Sequence, residues 1–544
     1  MTNLPWQEKT PELKITFLFT NTEHIFYIQT GTLSNESAGY RACRCLHGFY
    51  RLDRFGPCSE CPTHGVSCVH DTAILAPNYF WKWPNQTTRN IYRNFVENIL
   101  TFGPEYNKTF SRFDEPLPKP LKCPYSGSCY GGIDSACNVR YKGTLCATCS
   151  NNHYFRFNTC LECPRMTVTI ISSGVVILVF VAVFLLVLWG DSRRIENNRT
   201  VADVVMSCCK IVIGFYQVIA GIFSALARVQ WPVTLISIGK CLKFVEGNIL
   251  QFAPLSCIHP QLRPDPFLQF VLAVGTNILV VSLILLYLFL KKRYINKMEI
   301  FMSEKAMKIS SLRKSCYRNM FLFLLLSYPM TSKKIIHILP LPGVCVNVCF
   351  NQNDSDCISL LKADYSIDCF TARHNVFWKI AAVFALYPVL FPLLMLLTIC
   401  RYRESESEEE IAFGLRVFFE NYKKKYWFWE IVEMYRKLIL ISLILLFVSE
   451  SHSQIGFTLI TASASGIVYT LFRPVKGKFE DRLQTFVLWI IFFNVCLGAI
   501  YAEPDVGGDH TENDSILVNV LFVFLNSSVL IIAVGKSCQL ATRL

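Results

Sequence analysis

The chain has 544 residues, of which 52% are hydrophobic and only 17% are charged, and its mean hydropathy is +0.34. Soluble globular proteins carry about a quarter charged residues, so this composition excludes an ordinary soluble protein and predicts an all-α polytopic membrane protein. The net charge of +13 does not indicate nucleic-acid binding, because the Lys and Arg residues cluster beside apolar runs, as the positive-inside rule expects.

Residues 1–42 carry no convincing signal peptide. The run KITFLFT (Lys14–Thr20) is too short for the apolar core of a signal peptide, and no clear cleavage site follows it. Two explanations stay open: the first membrane helix translocates the N-terminus, or residues 1–42 continue a longer ectodomain. The abrupt start of the chain favours the second explanation.

Residues 43–165 form a cysteine-rich region. Its twelve cysteines are Cys43, Cys45, Cys58, Cys61, Cys68, Cys123, Cys129, Cys137, Cys146, Cys149, Cys160 and Cys163. Three CxxC pairs (CSEC, CATC and CLEC) are also compatible with zinc knuckles in a reducing compartment. The glycosylation sequons at Asn35, Asn85 and Asn107 favour an oxidising lumen and disulfides instead. We therefore expect disulfides and no metal, with a connectivity that spacing alone does not reveal.

The phrase CRCLHGFYRLDRFGPCSECPTHGVSC within this region resembles EGF-like or laminin-like modules. Modules of this size cannot bury a large core and depend on their disulfides. The region is thus predicted to be a small, loop-rich ectodomain. Two roles stay equally open, a ligand-binding head and a rigid, protease-resistant stalk.

Residues 166–534 form the predicted transmembrane block, with a cytoplasmic tail at 535–544. Its apolar runs are close to the ~20 residues that cross a bilayer. The nine predicted spans are Met166–Trp189, Val204–Ala227, Phe267–Leu290, Met320–Leu339, Phe377–Ile399, Ile431–Ser449, Ile455–Phe472, Leu483–Tyr501 and Ile516–Val534. Pro388 and Pro392 predict a kink in the fifth span, and Lys333 with Lys334 interrupts the fourth.

The distribution of charge predicts the orientation of these spans. With the cysteine-rich region outside, the inner loops collect Lys and Arg, whereas the outer loop Ala502–Asp514 has neither. The sequons at Asn353 and Asn513 then fall outside, and Asn198 falls inside. Four further disulfide candidates also fall outside: Cys345, Cys349, Cys357 and Cys369. We therefore expect a plasma-membrane protein with an extracellular N-terminus and a cytoplasmic C-terminus.

The stretch YWFWEIVEMYRKLIL (Tyr426–Leu440) places charges at the start of a membrane helix. Glu433 precedes Lys437 by four residues and Arg436 by three, so both pairs can close on one helix face, and Glu430 lies one turn earlier. Charges near a helix end can reach the membrane surface. The pattern predicts a surface-lying elbow that enters the membrane near Leu438. It serves either as a gate or, more simply, as a topological anchor.

Two polar stripes are candidates for a pore wall. In the second span, Lys210, Gly214, Gln217, Gly221 and Ser224 share one helix face. In the seventh span, Thr458, Thr461 and Ser465 share another. An unpartnered Gln217 in hydrocarbon would be costly, which indicates a protein or water neighbour. The alternative is close helix packing through small residues.

A set of segments from about Arg41 onward carries a resemblance, and its most specific elements are Trp231-Pro232, Asp364-Tyr365-Ser366 with Cys369, and Trp429-Glu430 with Glu433, Arg436 and Lys437. In this order the segments resemble large invertebrate and protist surface proteins in which EGF-like or ephrin-receptor-like cysteine repeats precede a TRP-like membrane block. The resemblance implies cation permeation and a more distant relation to anoctamin-type folds. The departure from the pattern is Lys333-Lys334, where apolar or small residues are expected.

No enzyme motif is found: there is no GxSxG, HExxH or P-loop sequence. We expect no enzymatic activity and no cofactor. The predicted function is a cation-permeable, TRP-like channel, with calcium as one candidate ion, and its predicted partners are membrane lipids, inorganic cations and an extracellular protein ligand. A non-conducting receptor or adhesion protein and a lipid scramblase are the alternatives, and the oligomeric state is not predicted.

Overall fold

The structure is a computed structural model. It describes residues 14–19, 22–27, 44–101, 106–125, 127–156, 159–168, 201–226, 265–299, 301–351, 356–402, 410–447, 452–500 and 512–541, together with 170, 171, 174 and 257. The chain divides into two compact units. The first comprises Met1–His153, Asn158–Cys160 and Asn347–Ile358, and the second comprises Tyr154–Phe157, Leu161–Val346 and Ser359–Leu544.

Short strands dominate the cysteine-rich part of the chain. They are β1 Lys14–Phe19, β2 Thr22–Tyr27, β3 Phe49–Tyr50, β4 Ser59–Glu60, β5 Val66–Val69, β6 Thr72–Leu75, β7 Tyr79–Phe80, β8 Leu121–Lys122, β9 Cys129–Gly131, β10 Ala136–Cys137, β11 Tyr141–Lys142, β12 Thr148–Cys149, β13 His153–Arg156 and β14 Thr159–Glu162. They pair two by two in chain order, so each sheet described here is a two-stranded ribbon. Such ribbons are marginal by themselves in water and need other support.

One helix, α1 (Gln86–Leu100), provides the core of the first unit. Its first turn is capped by Asn85, whose side-chain oxygen accepts a hydrogen bond from the Thr88 amide at 2.7 Å. Tyr92, Phe95 and Ile99 follow at helical spacing and are almost fully buried. They pack in one cluster with Phe113, so the helix supplies the apolar face that the ribbons lack.

Disulfides supply the remaining support. The described pairs are Cys45–Cys58, Cys61–Cys68, Cys123–Cys129, Cys137–Cys146, Cys149–Cys160, Cys163–Cys257, Cys345–Cys369 and Cys349–Cys357. Most close short loops between neighbouring strands. Cys163 instead bonds to Cys257, 94 residues away. Cys257 was not among the cysteines predicted to form disulfides. Cys43 lies outside the described residues.

Helices dominate the second unit. They are α2 Val201–Ala225, α3 Pro266–Lys297, α4 Met302–Ile336, α5 Ala372–Phe384, α6 Tyr387–Tyr402, α7 Glu410–Phe419, α8 Trp429–Ile441, α9 His452–Phe472, α10 Lys478–Ile500 and α11 Glu512–Ala541. Five apolar segments within the described residues are long enough to cross a membrane: Met206–Phe223, Pro266–Lys297, Ala372–Tyr402, Ser453–Phe472 and Lys478–Ile500. Most of the first predicted span, Met166–Trp189, lies outside the described residues.

The predicted fourth and sixth spans take other forms. The 35-residue helix α4 runs through Lys333 and Lys334 without interruption, because Lys333 is buried in protein and Lys334 donates to the Gln269 side chain. Helix α8 has 13 residues, or about 20 Å at 1.5 Å per residue, short of the ~30 Å hydrocarbon core. The predicted kink at Pro388 is a break between α5 and α6, because proline has no N–H to donate to the carbonyl four residues earlier, that of Phe384, and its ring clashes with that carbonyl.

The centre of the bundle is helix α2. Phe215, Val218 and Ile222 are buried in one cluster with residues of α8 and α10, such as Ile441 and Ile491. In contrast, α3 leaves many large apolar side chains exposed, for example Leu279, Leu286 and Leu290. An exposed apolar face of this extent is expected where a helix contacts lipid.

A small sheet connects α4 and α5. Its strands β15 Cys345–Cys349, β16 Cys357–Leu361 and β17 Asp364–Asp368 neighbour each other in that order. The tip of its first hairpin belongs to the first unit, where the Phe350 carbonyl accepts from the Lys119 amide at 3.0 Å and the Lys82 ammonium lies 4.5 Å from the Phe350 ring centre.

Candidate functional site: a buried charge cluster

Two glycines bring α2 and α8 into close contact. A Cβ atom on Gly214 would lie 2.7 Å from the Lys437 Nζ, and one on Gly221 would lie 2.9 Å from the Ile441 Cγ1. The two glycines are seven residues apart and therefore lie on the same helix face. Small residues at such positions let helices approach closely in membranes, and here they bring charged side chains of both helices together.

Glu430 receives two partners from other parts of the chain. Lys210, on α2, forms a salt bridge with the Glu430 carboxylate, and the Tyr422 hydroxyl donates to the same Oε2 atom at 2.9 Å. Glu430 is 1% exposed. A carboxylate this deeply buried requires such partners to remain charged.

Glu433 and Arg436 form a second pair one turn further along α8. The Nε and Nη2 atoms of Arg436 donate to the Glu433 Oε2 at 2.9 and 2.7 Å. Both residues are buried, and the Arg436 Nη1 has no hydrogen-bond partner among the described residues. The pair is thus neutral in sum but keeps one unused donor.

A small polar cavity of about 30 Å³ lies between these groups. It is lined by Lys210, Gly214, Tyr422, Glu430, Glu433, Arg436, Lys437 and Gln484, among others. A water molecule needs roughly 10–15 Å³ of such volume, so the cavity has room for two waters or one small ion. Three cationic and two anionic side chains therefore surround a space that water can enter.

The segment before α8 is joined to the loop between α9 and α10. The Lys423 amide donates to the Pro474 carbonyl at 2.8 Å, and the Lys476 amide donates to the Asn421 carbonyl at 2.9 Å. Trp429 packs edge-on against Tyr469, with ring centres 6.0 Å apart. Two basic loops beside the charge cluster, the one before α8 and the one between α9 and α10, are therefore hydrogen-bonded to each other.

The predicted elbow differs from the structure in one respect. Helix α8 is continuous across Leu438 and ends at Ile441, where a 3₁₀ turn (Leu443–Leu446) follows. Glu430, Glu433 and Arg436 are buried among other side chains of the protein, whereas the prediction expected them to reach the membrane surface. The physical reason is Lys210: with a partner on α2, Glu430 has no need of water.

The pore-lining candidates lie in two separate settings. Gly214 and Gly221 pack against α8, and the Gln217 side chain donates to the Leu326 carbonyl of α4 at 3.1 Å. The hydroxyls of Thr458, Thr461 and Ser465 each donate to a carbonyl four residues earlier in α9. Ser224 belongs to α2, but its side chain lies outside the described part. The contacts of Gly214 and Gly221 with α8 are those expected of close helix packing through small residues, the alternative to a pore wall.

The glycosylation candidates are described only in part. Asn85 and Asn107 are both exposed in the first unit. Asn35 and Asn353 lie outside the described residues. Asn513 belongs to α11, although the sequence predicts a loop there, and its side chain is not described.

Two members of the cluster, Tyr422 and Gln484, were not predicted from the sequence. Tyr422 lies in a loop and Gln484 in an apolar helix, and no local pattern marks either. A signal existed for Lys210, because an isolated base on one apolar helix and an unpaired acid on another indicate a pair between helices. Cys257 lacked a signal, since it stands alone in its loop.

Comparison with known proteins adds no relationship. Neither a family model, nor a curated protein, nor a solved structure matches the chain.

Proposed function

We propose that this multi-pass membrane protein passes cations and that the charge cluster between α2 and α8 is its gate. The observation that supports the proposal is a set of five charged side chains around a cavity within an apolar bundle. Glu430, Glu433 and Arg436 are buried, and Lys210 and Lys437 are half-buried. Ionisable groups inside a membrane are costly, and they commonly mark an ion or proton pathway.

The carboxylates of Glu430 and Glu433 are the ligands that a partly dehydrated cation would need. In the present arrangement both are neutralised by bases, Glu430 by Lys210 and Glu433 by Arg436. The cavity of about 30 Å³ is too small to be a pathway, and Gly214 and Gly221 hold α8 against α2. The arrangement is therefore a closed state, and opening requires α8 to move away from α2.

The source of such a movement lies at the membrane surface. Lys423, Lys424 and Lys425 are exposed immediately before α8, and each contributes about 1 kcal/mol of attraction to an anionic leaflet. Membrane tension or lipid charge would thus act directly on the first turn of the helix. The nine-span topology, the extracellular N-terminus, the plasma-membrane location and the TRP-like relationship belong to the same proposal.

A non-conducting receptor is the second candidate. The close packing of α2 on α8 favours it, because a relay needs contact between helices and no pathway. In that case the cluster stabilises α8 in each of two positions, and the ectodomain supplies the ligand site.

Purified full-length protein in liposomes, recorded under a tension ramp, tests the proposal. We expect currents that Glu433→Gln reduces at least severalfold and that Glu304→Gln leaves unchanged, because Glu304 pairs with Lys308 on an exposed face. Inserted wild-type protein that carries no current would overturn the channel. Flip of labelled lipid without current would indicate a scramblase.

A further inference from the structure

A groove of about 360 Å³ lies in the first unit. Its wall is formed by the segment from Phe80 to Gln86 and by Arg89, Asp134 and Ser135. Grooves of this size accommodate a small organic group when aromatic surface and a few polar groups line them.

The aromatic wall is Trp83. Its indole Nε1 donates to the Ile133 carbonyl at 2.9 Å, and its ring packs against Tyr92, with centres 5.3 Å apart, and edge-on against Phe113. The ring is half-buried. Its orientation is therefore fixed, and the part that is not packed faces the groove.

The polar side of the groove is Asp134. The Arg89 Nε donates to its Oδ1 at 2.8 Å, and Arg93 donates to the same atom. Partial burial raises the pKa of Asp134, but the hydrogen bonds from Arg93 and Arg89 outweigh that effect and lower the pKa below its usual value. An ionised carboxylate between two guanidinium groups offers acceptors and donors in fixed positions to hydroxyl groups.

Asn85 lies on the rim of the same groove and begins the sequon Asn85-Gln86-Thr87. Its Oδ1 is occupied by the Thr88 amide, which fixes the side chain. Its Nδ2, the atom that carries N-linked sugar, makes no hydrogen bond within the described part of the chain. The site is exposed, and the disulfides of this unit indicate an oxidising, secretory environment.

We propose that Asn85 carries an N-linked glycan whose first N-acetylglucosamine residue lies in the groove against Trp83. In the modification, the Asn85 Nδ2 forms a bond to C1 of a sugar donated by a lipid-pyrophosphate-linked oligosaccharide. The C1–O bond breaks, the pyrophosphate leaves with the electron pair, and Nδ2 loses one proton. The apolar face of the sugar then covers the indole, and its hydroxyls and acetamido group reach Asp134 and Arg89.

Two substitutions at Thr87 separate the effect of the glycan from any effect on the fold. Thr87→Ala removes the sequon and keeps the Asn85 cap, whereas Thr87→Ser keeps both. Full-length protein is compared by mass spectrometry of the Asn85 peptide and by the rate at which a hydroxyl-radical pulse oxidises Trp83. We expect the sugar mass in wild type and Thr87→Ser but not in Thr87→Ala, and severalfold faster oxidation of Trp83 in Thr87→Ala.

A matched control is Thr109→Ala, which removes the exposed Asn107 sequon elsewhere in the unit and leaves the oxidation of Trp83 unchanged. An unmodified Asn85 in wild-type protein expressed in a glycosylating cell overturns the proposal. A glycan that is present while Trp83 reacts equally fast in Thr87→Ala and Thr87→Ser also overturns it, because the sugar then extends into solvent. Neither result bears on ion passage.

Discussion

The two units of this chain stabilise their folds by opposite means. In the first unit, ribbons of two to six residues are held by disulfides and by one helix. In the second, long helices pack directly, and two glycines set how closely they approach. Each unit also buries charge, as Arg51 with Asp71 in the first and Glu433 with Arg436 in the second. The comparison teaches that covalent cross-links supplement a small core where the segments are short, whereas helix packing suffices where they are long.

The largest effect is expected from reduction of the disulfides. Each bond contributes about 2–4 kcal/mol through the unfolded state, so a reductant should unfold the first unit while α2 and α10 persist. Hydrogen exchange of the full-length protein should show lost protection at residues 86–100 and retained protection at 201–225. Equal loss in both units would contradict the comparison, and Cys400→Ser, which removes a free cysteine, serves as the control.

Removal of one buried charge is expected to have the next largest effect. Glu430→Ala leaves Lys210 and Tyr422 without their partner, and breaking a buried pair costs about 3–5 kcal/mol. Glu304→Ala, at an exposed pair with Lys308, should cost about 0–1 kcal/mol. Unfolding of both variants in mixed detergent micelles gives the two values. Similar losses of unfolding free energy in the two variants would show that the charge cluster is hydrated and exposed to solvent.

The glycine contacts are expected to matter less. Gly221→Ala forces a Cβ against Ile441, and overpacking costs about 1–3 kcal/mol. Gly275→Ala, whose Cβ meets nothing within 4 Å, should be neutral or stabilise α3 by up to about 1 kcal/mol. Thermal unfolding of the purified protein distinguishes the two variants. A stabilising Gly221→Ala would exclude close packing of α2 on α8.

The smallest effect is expected at the paired amides of Asn494 and Asn526. The Asn526 Nδ2 donates to the Asn494 Oδ1 at 2.9 Å, and the return bond measures 3.3 Å. Hydrogen bonds between membrane helices average about 0.6 kcal/mol, so a double-mutant cycle with alanine should give a coupling of that order. A coupling near zero would mean that α10 and α11 associate by apolar packing alone.

Sequence patterns predicted the helical spans better than the contacts between them. The apolar runs identified α2, α3, α9 and α10, since length and hydropathy are local properties. The partner of Glu430 depends on Lys210, 220 positions away, and the partner of Cys163 depends on Cys257. Such pairs arise only when helices pack and loops meet, so no local pattern encodes them. The predicted break at Lys333 failed for the same reason, because protein neighbours accept a lysine that lipid would exclude.

The hairpin Asn347–Ile358 has a consequence for how this chain can be divided. The sequence suggests that a cut near residue 165 separates an ectodomain from a membrane part. However, the Phe350 carbonyl accepts a hydrogen bond from the Lys119 amide, and the Lys82 ammonium lies over the Phe350 ring. A secreted fragment that ends at residue 165 would lack these contacts and expose the surface that they cover. A cysteine-rich unit transplanted onto another protein would need this hairpin as well, because Asn347–Ile358 belongs to that unit.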